Sequence, residues 1–85
     1  MPQISRFYGI IILMNYRDHL PPHFHAIYND YEIIVNISDG EIKGNMPARA
    51  LRLILEWWEM NNEELSDRWE KSRAGLPLEK IEPLK

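Results

Sequence analysis

The first half of the chain has the hydrophobic spacing of β-strands. An unbroken apolar run at residues 9–14 is typical of a strand buried on both faces inside a sheet. Residues 23–28 and 31–37 have the composition of two further strands, and the Asn-Asp pair between them suits a two-residue hairpin turn. A Gly-containing turn then precedes a short strand at residues 41–44. The pattern predicts an antiparallel sheet of three to four strands.

The two-residue turn fixes the register of the predicted hairpin, and the register sorts its side chains onto two faces. One face is apolar and should pack on the core: Phe24, Ala26, Tyr28, Tyr31, Ile33 and Val35. The other face is mixed and polar: His23, His25, Ile27, Glu32, Ile34 and Asn36. We therefore expect the histidines to face away from the core and to be accessible to solvent.

From Pro47 onward the spacing of apolar residues becomes helical. Six of them form one stripe: Leu51, Ile54, Leu55, Trp58, Leu65 and Trp69. Trp57 lies one step off this stripe, so we expect it to be exposed at an interface. Asn61 and Asn62 precede two glutamates, as an N-cap and first helical turn do, and this predicts two helices. A single helix over residues 47–74 would be about 42 Å long and would imply a dimer.

An apolar tail closes the chain. Gly75 and Pro77 should end the second helix, and two prolines hold the tail extended. Its four aliphatic residues must be covered by the chain itself or by a partner: Leu76, Leu78, Ile81 and Leu84. We therefore predict a single α+β domain, a small antiparallel sheet followed by two helices and an extended C-terminal tail. The domain comprises residues 1–85, with the sheet in residues 1–46, the helices in 47–75 and the tail in 76–85.

Composition places the chain among ordinary globular domains. Hydrophobic residues make up 45% of it and charged residues 27%. The absence of cysteine excludes disulfides and thiolate zinc sites and fits a reducing cytoplasm. No apolar run approaches the roughly 18 residues that a spanning helix needs. We expect a cytoplasmic protein with no membrane partner.

Charge restricts the choice of partners. The net charge is −3. Residues 1–55 are neutral, so residues 56–85 carry the whole excess of acid. No basic stripe suited to non-specific phosphate binding is present. Contact with RNA would therefore be local, and the candidate substrate-binding residues are Arg6, Tyr8, Arg49 and Arg52. The acidic second half favours a protein partner over free nucleic acid.

The candidate chemistry is concentrated around three histidines that lie within seven positions. Arg17 and Asp18 adjoin the first histidine, and Glu32 lies diagonally across the hairpin from the last. The candidate catalytic residues are Arg17, Asp18, His19, His23, His25 and Glu32.

Three uses of these residues are open. Histidine has an ordinary pKa of about 6.5, which suits metal-free proton transfer, and with an arginine to hold a phosphate the cluster could cleave RNA. Alternatively, a His-x-His pair on a strand points both rings the same way and could bind a metal. Finally, histidines on a strand surface often have no chemical role. Because cysteine is absent and no third ligand has firm spacing, we expect neither a metal nor another cofactor.

Several motifs resemble the bacterial domain-of-unknown-function family 4160. They are ISRFYGI at residues 4–10, DHLPPHFHA at 18–26, RALR at 49–52, EW at 56–57, WE at 69–70 and IEPL at 81–84. The PPHFH block is specific in combination, and the resemblance extends over essentially the whole chain. The family motif includes His19, His23 and His25, which favours a functional role for them, although the resemblance supplies no catalytic residues.

The resemblance also implies a partner. Members of this family are often encoded beside a small protein of domain-of-unknown-function family 2442, in an arrangement that resembles a toxin–antitoxin module. The leading hypothesis is therefore a toxin-like component, neutralised by a small antitoxin-like protein, that acts on RNA through its histidine cluster. One alternative is a non-enzymatic protein-binding or regulatory module that works in complex with a small partner. Another is a small metal-dependent enzyme. A homo-oligomer is a further candidate assembly.

Overall fold

In a computed structural model that describes residues 2–85, five antiparallel strands precede two helices. The strands are β1 (Gln3–Phe7), β2 (Ile10–Leu13), β3 (His23–Tyr28), β4 (Tyr31–Asn36) and β5 (Ile42–Gly44). The helices are α1 (Ala48–Met60) and α2 (Asn62–Arg73). Each strand pairs with the next one along the chain. The α+β class is confirmed, but the predicted count of three to four strands is wrong, because the sheet has five.

The additional strand is β1, and its irregular register explains why the sequence pattern missed it. A bulge between Gln3 and Ser5 shifts the pairing with β2. Ile4 and Ser5 are consequently both buried, so the alternation expected of a strand with one exposed face is lost. Tyr8 and Gly9 both have positive φ, which suits the two-residue turn that leads into β2.

The central hairpin has the predicted register. Its pairs run from Tyr28 opposite Tyr31 to His23 opposite Asn36. The core face is also confirmed at four of its six positions, which are fully or almost fully buried: Phe24, Ala26, Ile33 and Val35. β2 lies between β1 and β3, as an interior strand should.

Two helices form, as predicted, and they meet at Asn61. The side chain of Asn61 donates to the Trp57 carbonyl at 2.9 Å, so it caps the end of α1 and makes no side-chain cap for α2. No helix in the described part of the chain is long and apolar enough to cross a membrane.

The expectation of an exposed Trp57 is wrong. Its ring is fully buried and lies 5.5 Å from the ring of Phe7 and 5.7 Å from that of Phe24. The buried face of α1 is formed by Ala50, Ile54 and Trp57, at spacings of four and three residues. A small alanine adds little to a hydrophobic stripe, so the sequence pattern favoured the stripe that passes through Trp58.

The tail packs on its own chain. The Ile81 N–H donates to the Ile4 carbonyl at 2.7 Å, and the Ser5 hydroxyl donates to the Ile81 carbonyl at 3.0 Å. Ile81 and Leu84 are buried, and the indole N–H of Trp57 donates to the Glu82 carbonyl at 2.8 Å. Of the two alternatives for the tail, the structure shows intramolecular packing along the edge of β1.

Candidate functional site

The loop between β2 and β3 and the first residues of β3 bring four of the six candidate catalytic residues together: Asp18, His19, His23 and His25. His23 and His25 are two apart on β3 and point to the same side of the sheet. Asp18 lies in the loop, whose path is held by a hydrogen bond from the Arg17 N–H to the Ser72 carbonyl of α2 at 3.2 Å. The sheet therefore sets the direction of the imidazoles, and the loop carries the carboxylate to them.

Asp18 is the centre of this group and contacts all three histidines. Its Oδ1 lies 2.9 Å from His19 Nδ1. Its Oδ2 lies 3.0 Å from His23 Nε2 and 3.5 Å from His25 Nε2. We call these four residues the Asp18 cluster. Its two carboxylate oxygens contact different histidines.

The surroundings of Asp18 hold its carboxyl in the ionised form. Partial burial by itself raises the pKa of this carboxyl. The His19 backbone N–H and the Asn15 amide lower the pKa by donating hydrogen bonds, and His23 lowers it by a hydrogen bond and by charge. The lowering contributions dominate, and the pKa of Asp18 falls from its ordinary value of 3.8 to about 2. A full negative charge is therefore present at neutral pH.

Exposure differs sharply among the histidines. The His19 side chain is 85% exposed, whereas the values for His23 and His25 are 5% and 12%. The expectation that the histidines face away from the Phe24 side of the sheet is confirmed, since Phe24 is buried in the core. The expectation of solvent access is wrong for His23, because Trp69 of α2 covers its ring. The centroids of the two rings are 5.3 Å apart.

Both ring nitrogens of His23 face oxygen acceptors. Nδ1 lies 2.8 Å from the Pro21 carbonyl, and Nε2 faces the Asp18 carboxylate. A neutral ring has one N–H and satisfies only one of these acceptors. With the proton on Nε2 the ring donates to Asp18, and with the proton on Nδ1 it donates to the Pro21 carbonyl and leaves the Nε2 lone pair toward the cluster.

Two side chains complete the surroundings of His25. Glu32 Oε2 lies 3.4 Å from His25 Nδ1, as the predicted hairpin diagonal requires. The Asn15 amide nitrogen lies 3.3 Å from both His25 Nε2 and Asp18 Oδ2. Asn15 was not among the residues predicted from the sequence, although a polar residue directly after the apolar run at residues 9–14 is a usable signal.

A cavity of about 150 Å³ opens beside the cluster. Its lining residues are His19, Pro21, His23, Ile34, Asn36, Glu41 and Lys43. Lys43 was not among the residues predicted from the sequence. It pairs with Ile34, which pairs with His25, so the three side chains share one face of the sheet. The cavity therefore combines two imidazoles and the Lys43 ammonium group with the Glu41 carboxylate.

The remaining candidate residues lie elsewhere. Arg17 places its guanidinium over Gly75. Arg6 lines a shallow surface cavity beside the tail. Tyr8 and Arg49 line a groove of about 750 Å³ together with the tyrosines of the β3–β4 hairpin. Arg52 is exposed on α1. The structure therefore places none of the four candidate substrate-binding residues in the cavity beside the histidines.

The fold and the cluster define a small α+β domain with a carboxylate–histidine centre. Residues 9–70 match the family described as Domain of unknown function (DUF4160), and the chain belongs to this family. Residues 4–8 of the motif at 4–10 and the whole motif at 81–84 lie outside the matched segment. The family match therefore covers less of the chain than the motifs do. No curated protein and no solved structure matches the chain.

Proposed function

We propose that this protein is the toxin-like component of a bacterial two-gene module, and that in the cytoplasm it cleaves RNA at the Asp18 cluster. The observation that carries the proposal is the contact of one ionised carboxylate with three imidazoles beside a cavity that also contains Lys43. The role in a two-gene module rests on the resemblance to family 4160. The choice of RNA rests on the imidazoles and the Lys43 ammonium group of the cavity, which can contact a phosphodiester although the Glu41 carboxylate lines the same cavity.

His19 is the group suited to proton transfer. In its neutral form it can donate its Nδ1–H to Asp18 Oδ1, at 2.9 Å, which leaves the lone pair of Nε2 free to accept a proton. Because the His19 side chain is 85% exposed, a polymeric substrate can reach it. The carboxylate orients the ring and stabilises the imidazolium that forms.

The reaction that this arrangement supports is transesterification within RNA. Nε2 of His19 takes the proton from a ribose 2′-hydroxyl, and the 2′-oxygen forms a bond to the adjacent phosphorus. The bond from phosphorus to the 5′-oxygen breaks, and the leaving oxygen takes a proton from solvent. The products are a 2′,3′-cyclic phosphate and a 5′-hydroxyl. Lys43 stabilises the negative charge that develops on the phosphate oxygens.

Substitution of His19 tests this proposal with little risk to folding. We expect the wild type to arrest growth when expressed without the neighbouring gene, and to produce RNA ends with cyclic phosphate. His19→Ala should lower the cleavage rate by about 10²–10⁴-fold, the usual contribution of a general base. Leu20→Ala is the matched control. Leu20 follows His19 in the chain, and its side chain is also largely exposed but has no titratable group.

Two results would contradict the proposal. One is a wild type that neither slows growth nor cleaves RNA. The other is a His19→Ala variant as active as the wild type. The triple substitution of His19, His23 and His25 to alanine, expressed with and without the neighbouring gene, shows whether any growth effect depends on the cluster at all.

A second candidate function is binding without catalysis. It is favoured by the groove of about 750 Å³ at the other end of the β3–β4 hairpin. Tyr8 and Tyr31 are 61% and 45% exposed there, beside Arg49, and tyrosine and arginine are enriched at the centres of protein interfaces. The occupant that fits this proposal is the small antitoxin-like protein encoded by the neighbouring gene.

The groove has its own test. Tyr8→Ala and Tyr31→Ala should each weaken binding of the neighbouring gene product by about tenfold or more, whereas His19→Ala should leave it unchanged. Calorimetry with the purified partner measures this. Wild-type affinity in both tyrosine variants would remove the groove as the partner site.

A further inference from the structure

Three side chains of the cluster are arranged as ligands around a common point. One donor atom from each of Asp18, His23 and His25 lies within 4.8 Å of the other two. The Asp18 Oδ2 atom is 3.0 Å from His23 Nε2 and 3.5 Å from His25 Nε2. Ligands about 2.1 Å from one metal ion, at octahedral or tetrahedral angles, lie about 3.0–3.4 Å apart. The two separations from Asp18 Oδ2 therefore match a shared ion, and the two histidine nitrogens lie within 4.8 Å of each other.

The outer nitrogen of His23 is placed as metal-bound histidines require, and that of His25 has a carboxylate beside it. His23 Nδ1 lies 2.8 Å from the Pro21 carbonyl, whereas Glu32 Oε2 lies 3.4 Å from His25 Nδ1 without forming a hydrogen bond to it. A histidine that binds a metal through Nε2 almost always directs its Nδ1–H to a carbonyl or carboxylate. The Pro21 carbonyl can therefore hold His23 with Nε2 available, and a small movement of the exposed Glu32 side chain would give His25 the same support.

We propose that Asp18 Oδ2, His23 Nε2 and His25 Nε2 bind one divalent first-row transition metal ion, for which Zn²⁺ is the probe. We call these three residues the ligand triad. Two imidazoles and one carboxylate are the donor set of catalytic zinc sites and of non-haem iron sites, both of which keep coordination positions open. Because His23 lines the cavity beside His19, an open position on this ion can face that cavity.

A metal ion is compatible with the contacts on both sides of His23. When His23 carries its proton on Nδ1 and donates it to the Pro21 carbonyl, the Nε2 lone pair points at Asp18 Oδ2, and a cation between them bonds to both atoms. The triad is also shielded from water, since the side chains of His23, His25 and Asp18 are only 5%, 12% and 16% exposed. Shielding distinguishes it from the solvated carboxylates that are common on protein surfaces.

Asn15 is the nearest further donor. Its amide nitrogen lies 3.3 Å from both Asp18 Oδ2 and His25 Nε2. Its buried carbonyl oxygen has no hydrogen-bond partner among the described residues. Rotating the amide by half a turn exchanges the two atoms and directs the oxygen at the ion. Asn15 can thereby supply a fourth ligand without movement of the backbone.

Calorimetric titration of Zn²⁺ into tag-free protein, stripped of metal by a chelator, tests the site. We expect saturable binding of one Zn²⁺ per chain, with a dissociation constant in the micromolar range or below. Asp18→Ala and His25→Ala should weaken it by at least a hundredfold. Co²⁺ in place of Zn²⁺ should give a visible absorption band that is lost in the same variants, which identifies coordination by the triad.

Glu32 provides the variant that keeps the test decisive if a ligand substitution prevents folding. Glu32→Ala removes the carboxylate that lies 3.4 Å from His25 Nδ1, at a side chain that is 56% exposed, so the fold should be retained. Loss of a carboxylate that supports a metal-bound histidine typically weakens metal binding by about 10–100-fold. Asp30→Ala removes an exposed carboxylate from the turn of the same hairpin and should leave the affinity unchanged.

The proposal is overturned if the folded wild type shows no saturable binding of Zn²⁺ or Co²⁺. It is also overturned if Glu32→Ala and the folded triad variants bind as tightly as the wild type. Binding of the ion does not depend on the proposed function. Metal binding without RNA cleavage would remove only the ribonuclease, and chelator-insensitive cleavage without metal binding would remove only the metal site.

Discussion

The two carboxylate oxygens of Asp18 contact histidines of different exposure. Oδ1 contacts the exposed His19, and Oδ2 contacts the buried His23 and His25. Proton transfer at His19 and cation binding at the buried pair therefore use different atoms of the same carboxylate. A nearby cation and an oriented base can act together on one phosphodiester, and this geometry allows both.

The ionised state of Asp18 predicts a specific dependence of stability on pH. Its pKa is lowered from 3.8 to about 2 in the folded chain, so the stabilisation is fully present above about pH 4. It is lost as the pH falls from about 4 to about 2, and integration gives about 2 kcal/mol. Urea unfolding in chelator-containing buffer should show this extra loss in the wild type and not in Asp18→Asn. Parallel acid profiles for the two proteins would show that Asp18 is not stabilised in this way.

The sequence predicted the residues of the cluster better than its chemistry. The hairpin turn placed His23 and His25 on one face, but nothing in the spacing showed where the loop would carry Asp18. Without that third ligand the sequence favoured a metal-free site. That expectation and the ligand triad predict opposite results in the zinc titration, which therefore decides between them.

At the scale of elements, local signals were sufficient where one residue pair determined the geometry. The Asn29-Asp30 turn fixed all six pairs of the β3–β4 hairpin. β1 could not be found in the same way, since its bulge breaks the alternation on which strand prediction depends. Lys43 was missed because the predicted pairing stopped at β4, and pairing β5 with β4 places Lys43 opposite Ile34, beside the histidines.

The arrangement of helices shows where periodicity is ambiguous. A stripe through Trp58 and a stripe through Trp57 differ by one residue, or about 100° around α1. The choice depends on tertiary contacts that the sequence does not state. In the structure the Trp57 indole is enclosed by Phe7, Phe24 and the tail. The Trp58 indole is only partly buried, and its N–H donates to the Ile37 carbonyl at 2.9 Å.

At the scale of the whole molecule, the tail completes the core at the edge of β1. It supplies two buried aliphatic side chains and the carbonyl that accepts from Trp57. It also occupies backbone groups of β1, an edge strand that would otherwise be open to pairing with another chain. We therefore expect a partner to bind at the groove proposed above, which Leu84 and Lys85 of the tail also line, and not by pairing with β1.

The tail stabilises the fold through Ile81. Ile81 is buried and bonded to β1, so Ile81→Ala should lower the free energy of unfolding by about 2–4 kcal/mol. Leu76→Ala is the matched control, because the Leu76 side chain is 51% exposed, and it should change stability by no more than about 0.5 kcal/mol. Urea unfolding followed by tryptophan fluorescence measures both.

Truncation after Gly75 removes the whole tail and tests its effect on both folding and self-association. It removes Ile81 and Leu84 from the core and opens the edge of β1, so we expect a chain that is largely unfolded or self-associated. Light scattering on the separated protein gives its mass, and circular dichroism gives its secondary structure. A truncated chain that stays monomeric and as stable as the parent, together with an unaffected Ile81→Ala variant, would show that the tail does not hold the core. The folded state of the tail-bearing chain would then depend on the sheet and the two helices alone.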